Sequence, residues 1–208
     1  VSAFLVPMDT AGVTVGKSDK KMGQSGSHIA DIILEDVFVP GDALLGGEEG
    51  KGFATAMQSL DNGRLSVGAA STAYARRILD TAVRYATERK AFGEPIANFQ
   101  LIQAMLADSQ AEIYAAECMM RDAIRKADEG RKILLEAAAF KMFASEMCGR
   151  VADRCVQVHG GAGYLAEYEA ERFFRDSRIY RIYEGTTQIM QLVIAKQMLR
   201  DFAAGAQG

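Results

Sequence analysis

The sequence predicts a mainly α-helical protein in which an antiparallel helical bundle follows a short, incomplete β-region. Three observations carry this. After Gly52 a single proline remains, Pro95, alanine becomes abundant, and apolar residues recur at intervals of three and four. Before Gly46 lie Pro7 and Pro40, many glycines, and β-branched runs that read as strands. Finally, the helical stretches are long and the breaks between them short, and such helices pack as an antiparallel bundle.

In chain order, Val1–Val6, Val13–Val15 and Ile32–Val39 read as strands, separated by the turn-rich stretches Asp9–Gly12 and Lys21–Gly26. Three strands over this length do not make a self-sufficient sheet. A strand at Val1, with no cap or turn before it, needs a neighbour, so natural residues are expected to precede it. Gly46–Gly50 marks a boundary, giving a β-region over 1–46 and a helical region over 47–208. Five helices follow. Phe53, Met57 and Leu60 begin the first, over about 52–88. Leu101, Met105, Ile113, Ala116 and Met120, with Ser109 in the gap, define 98–129. Ile133, Ala137, Phe140, Phe143, Met147 and Val151 define 131–158. A short helix covers 165–175, and Ile189, Leu192, Val193, Leu199 and Phe202 stripe the last, over 187–203. Breaks fall at Phe92–Pro95, Gly130, Gly160–Gly163 and Glu184-Gly185.

Composition narrows the function. At 49% hydrophobic and 25% charged, the chain has an ordinary globular balance. No run of eighteen apolar residues spans a membrane, and no signal peptide is visible. A net charge of −3 supplies no electrostatic footprint for nucleic acid or anionic lipid. Three cysteines without CxxC spacing and two histidines argue against a disulfide framework or a metal site. The expected compartment is reducing.

Four segments could carry chemistry, each with a plain alternative. Leu60–Arg64 places Asp61 and Arg64 at i,i+3, which also suits a surface ion pair. Glu88–Ile96, followed by Asn98-Phe-Gln100, offers Arg89 as an anion ligand or simply ends a helix with basic residues. Gln157–Gly163 is a glycine-rich turn through which a backbone can approach a phosphate, or merely a helix stop, and His159 in it reads equally as a packing histidine. Arg181–Gln188 sets a carboxylate before a glycine, two threonines able to cap, and a helix, where an acidic residue commonly just complements the dipole.

In this order, the segments resemble the acyl-CoA dehydrogenase family. Lys21-Met-Gly, Leu34–Pro40 and Leu44-Leu-Gly46 are similar to the second half of that family's middle β-domain. Arg89–Gly93, Gln157–Gly161 and Ile182–Thr186 are similar to its C-terminal helical domain. The family's N-terminal helical domain and first β-half have no counterpart here. The resemblance implies a C-terminal antiparallel bundle of acyl-CoA dehydrogenase type after a partial β-domain. It implies FAD-dependent α,β-dehydrogenation of an acyl-CoA thioester, in which a base takes the α-proton while a β-hydride passes to flavin N5. The thioester carbonyl must be polarised where charge develops, and the flavin does the redox chemistry.

The base matches Glu184. Some members carry the base at the position that is Gly63 here, which cannot act. By the same matching, Asp61, Asn62, Gly63, Arg64 and Gly185 contact substrate. Arg89, Gln100, Gln157, Val158, His159, Gly160, Gly161, Thr186, Thr187 and Gln188 match FAD contacts, with Arg89 suited to the pyrophosphate. The family sends several of these across a subunit interface, implying a homodimer or homotetramer, with electron-transferring flavoprotein as acceptor. The expected location is the bacterial cytoplasm or the mitochondrial matrix. Two other readings stand beside this one. One is an acyl-CoA oxidase-like member reoxidised by O₂. The other is a flavin-free helical assembly module, to which the isolated 208-residue chain would correspond if it cannot hold FAD.

Overall fold

The computed structural model describes residues 1–205, apart from the side chain of Asp61. It divides into two compact units, Val1–Leu60 and Asp61–Gly208.

In the first unit, β1 (Val13–Val15) and β2 (Ile32–Leu34) pair antiparallel, with Val13 opposite Leu34 and Val15 opposite Ile32. The β-region is thinner than the sequence pattern predicts. Val1–Val6 is not a strand: it contributes one isolated bridge, Phe4 to Leu44, flanked by Leu5 N–H to Ala43 O at 2.9 Å and Leu45 N–H to Ala3 O at 2.8 Å. Ile32–Val39 shortens to Ile32–Leu34, because a strand extends only as far as its partner and Asp36 turns the chain at φ 50°. Alternation and β-branching mark residues able to pair, not how many find a neighbour.

The helices follow the sequence reading closely. They are α1 (Gly52–Glu88), α2 (Gln100–Asp128), α3 (Leu134–His159), α4 (Glu169–Ser177) and α5 (Thr187–Gly205). The break after α1 is a small hairpin, β3 (Lys90–Ala91) with β4 (Glu94–Pro95). Phe92 and Gly93 close it at φ 52° and 90°, as a two-residue hairpin turn requires. Gly160–Tyr164 continues from α3 as a 3-10 turn, and α4 opens later than expected, at Glu169.

In the second unit α3 is the central helix. It packs against α2, α4 and α5. Its buried residues include Ala137, Phe140, Ala144, Met147, Val151 and Cys155, a stripe at spacings of three and four. Ile78 and Leu79 of α1, Ile113 of α2 and Phe173 of α4 complete the core. The α1 backbone comes close at Gly68, where an added Cβ would lie 2.5 Å from the Phe140 ring. Polar contacts stitch the surface: Arg150 and Arg154 of α3 both pair with Glu112 of α2.

Candidate active site

The turn that carries Glu184 is anchored on both sides. A short 3-10 turn, Arg178–Arg181, follows α4, and α5 begins at Thr187. Thr186 caps α5, its Oγ1 accepting the Ile189 N–H at 3.3 Å and satisfying one of the donors that a helix start leaves open. Thr187, the other candidate cap, instead donates its hydroxyl to Glu146 Oε1 at 2.7 Å. Arg181 forms an ion pair with Glu146 Oε2 at 3.2 Å. Glu146 of α3 thus grips both ends of the segment.

Between those ends, Glu184 and Gly185 adopt φ 54° and 94°. Glycine takes this left-handed conformation freely, whereas a residue with a Cβ gives up about 1–2 kcal/mol there. Strain of this kind persists only where the surroundings impose it. The Lys141 ammonium of α3 donates to the Gly185 carbonyl oxygen at 2.6 Å.

The turn directs the Glu184 side chain at α1. A Cβ placed on Gly63 would lie 2.7 Å from the carboxyl carbon of Glu184 and would collide with Oε2. The carboxylate therefore fills the space that a side chain at position 63 would need. Its Oε2 is shut away from solvent and has no hydrogen-bond partner among the described residues. Leaving a buried acceptor open costs about 1–3 kcal/mol, so such atoms call for a functional account. Arg64, the next residue along α1, is buried; Asn62 is exposed, and the side chain of Asp61 lies outside the described residues.

A second set of residues meets at the end of α3. Tyr85, Arg89, Val158, His159, Gly160 and Gly161 line a cleft of about 390 Å³. His159 stacks on Tyr85 with ring centroids 4.0 Å apart. Its Nδ1 lies 2.7 Å from the Cys155 carbonyl, which can only accept, so Nδ1 carries the proton and Nε2 is left as an acceptor. Burial pushes the His159 pKa below its ordinary value, against the opposing pull of that carbonyl, so the ring is neutral at pH 7. An added Cβ on Gly160 or Gly161 would meet nothing within 4 Å, so their backbone is open to a ligand. The exposed Arg89 guanidinium makes no ion pair among the described residues. Gln100 at the start of α2, Gln157 on α3 and Gln188 on α5 are exposed and do not line this cleft.

Three residues of these clusters escaped the sequence reading: Lys141, Glu146 and Tyr85. Lys141 left a signal, since it stands in the apolar register of α3 between Ala137 and Ala144. Glu146 and Tyr85 left none, because charged and aromatic residues at helical spacing have no distinctive pattern.

A family model, the C-terminal domain of acyl-CoA dehydrogenases, matches residues 50–199. The chain belongs to the acyl-CoA dehydrogenase family. It is 44% identical over 200 residues to the caffeyl-CoA reductase-Etf complex subunit CarC of Acetobacterium woodii, covering 96% of this chain and 52% of that protein. Butyryl-CoA dehydrogenase from Megasphaera elsdenii superposes with a TM-score of 0.92 at 40% identity, over 95% of this chain and 51% of the other. An acyl-CoA dehydrogenase from Bacillus anthracis, solved in complex with FAD, gives 0.92 at 38% identity, over 99% of this chain and 38% of the other. The chain thus spans about half the length of the first two relatives and less of the third.

Proposed function

We propose that this chain forms the C-terminal part of an FAD-dependent acyl-CoA dehydrogenase in which Glu184 removes the α-proton of the thioester. The observation that carries the proposal is the Glu184 carboxylate, laid against Gly63 on a left-handed turn with an oxygen that no donor among the described residues engages. A proton acceptor needs an open lone pair facing a dry site. Glycine at 63 leaves room for it and removes the one other position where the family carries a base. The Glu184 backbone N–H is the donor assigned to the developing enolate oxygen. Asp61, Asn62, Gly63, Arg64 and Gly185 are assigned to hold the acyl-CoA. Residues 1–46 are read as the end of a middle β-domain and 47–208 as the C-terminal helical domain.

The cleft at the end of α3 fits a dinucleotide cofactor: an uncommitted cation, open glycine backbone and a stacked aromatic pair suit a pyrophosphate beside a flat ring. Arg89, Gln100, Gln157, Val158, His159, Gly160 and Gly161 would hold FAD on this side, and Thr186, Thr187 and Gln188 near α5, with contributions expected across a subunit interface of a homodimer or homotetramer. When bound, FAD supplies the acceptor for the β-hydride. Electron-transferring flavoprotein is the proposed partner for reoxidation, in keeping with the Etf complex named for the CarC relative.

The test is Glu184→Gln in the protein expressed from its complete gene. Loss of a general base predicts a fall in turnover of about 10²–10⁴-fold with flavin content unchanged. A variant that keeps half the parent rate on every acyl-CoA the parent oxidises overturns the assignment.

A further inference from the structure

The chemistry proposed above gives Lys141 no task, yet few residues in the molecule are placed at greater energetic risk. It lies in the buried face of α3, four residues after Ala137 and three before Ala144, and all three are fully buried. An ammonium inside an apolar stripe must find a strong acceptor or lose its charge. Its acceptor is the Gly185 carbonyl, at 2.6 Å, one residue past the carboxylate and on the second of the two left-handed residues. We propose that Lys141 is a positioning residue for the proton-accepting carboxylate: its bond to the Gly185 carbonyl holds the Glu184–Gly185 turn in the conformation that lays Glu184 against Gly63. The inference rests on the assignment of Glu184 as the base.

The rest of the cluster fits this role. Glu146, further along α3, fixes the same segment through Thr187 and Arg181, so one helix clamps the turn at two heights. The turn cannot hold itself, because its first residue has a Cβ and a left-handed φ. Lys141 also meets a mixed field: Glu146 on its own helix, Arg64 on α1 and Glu184 in the turn. Burial lowers its pKa to about 8; Arg64 pushes in the same direction, while Glu146 and Glu184 oppose. Below that pH the bond is charge-assisted and strong. Above it the neutral amine holds the carbonyl more weakly. Turnover is therefore expected to fall as pH rises through about 8.

The experiment compares the pH profiles of parent, Lys141→Met and Lys141→Gln in the protein expressed from its complete gene, with melting temperature and flavin content measured on each. Misplacing a reacting group by an ångström costs on the order of 10²-fold. Lys141→Met is expected to lose about that much in kcat at pH 7, with KM little changed, flavin retained and the alkaline fall gone. Lys141→Gln, which keeps a neutral donor, is expected to be intermediate and equally flat across the alkaline range. It provides the reading if the Met variant does not fold. Parent-like kcat in either variant, or an alkaline fall that survives the substitution, overturns the proposal. Glu184→Gln, assayed beside them, separates the two claims. If it is active, the role of Glu184 is wrong. If it is inactive while Lys141→Met is fully active, only the role of Lys141 is wrong.

Discussion

At the residue scale the site depends on an exchange of space between positions 63 and 184. A glycine within α1 gives up helix stability of about 1 kcal/mol relative to alanine, and at Gly63 the room it leaves is taken by the Glu184 carboxylate. Gly63→Ala should accordingly separate stability from activity. The added methyl group displaces a flexible carboxylate rather than backbone, so the melting temperature should hold or rise. Turnover should fall at least tenfold, because misplacing the base by about an ångström is expensive. Thermal melts and steady-state kinetics on one preparation decide it; undiminished turnover would mean that the carboxylate works from elsewhere. Leu60–Arg64 and Arg181–Gln188 stood out in the sequence as polar, glycine-bearing segments, while the roles expected of Gly63 and Glu184 came from the family resemblance. Lys141 showed only as a lysine in an apolar register, because its partner is 44 residues away in the chain, which no local pattern encodes.

At the element scale α3 does two jobs, filling the core with one stripe and presenting polar ends to both clusters. Its periodicity was plain in the sequence, as were those of α1 and α2, since each buries one face over several turns. The stripe read on α5 is instead exposed at Ile189, Leu192, Leu199 and Phe202, and Thr187 and Met190 are the residues that helix buries. The β-region was less legible: pairing is a relation between distant segments, and Val1–Val6 meets only one bridge partner. The C-terminal end of α3 carries a pH prediction. His159 is buried and neutral, with its pKa below the ordinary 6.5. The unfolded chain therefore binds a proton that the folded chain refuses as pH drops past 6.5. Stability from this residue is complete above 6.5 and is lost as pH falls toward the lowered folded-state pKa. Melting temperature measured across that range should decline in the parent and decline less in His159→Gln. Equal slopes would show that other groups carry the acid sensitivity.

At the scale of the whole molecule, the proposed function assigns different work to the two clusters: proton removal to Glu184 beside Gly63, cofactor retention to the end of α3 and the β3–β4 hairpin. The exposed Arg89 at that hairpin contributes little to the fold, since surface substitutions away from special features usually stay within about 0.5 kcal/mol. Arg89→Ala should lower the FAD to protein ratio after gel filtration while leaving the melting temperature of the flavin-depleted protein unchanged. Full flavin retention would return Arg89 to the role of a helix-end cation. The central claim, that Glu184 takes the α-proton, can be read most directly from isotope exchange. The protein from the complete gene, given an α-deuterated acyl-CoA that lacks a removable β-hydrogen, should release the label to water without net oxidation. Glu184→Gln should abolish that release while still binding the thioester. Label loss at the parent rate in Glu184→Gln would contradict the account.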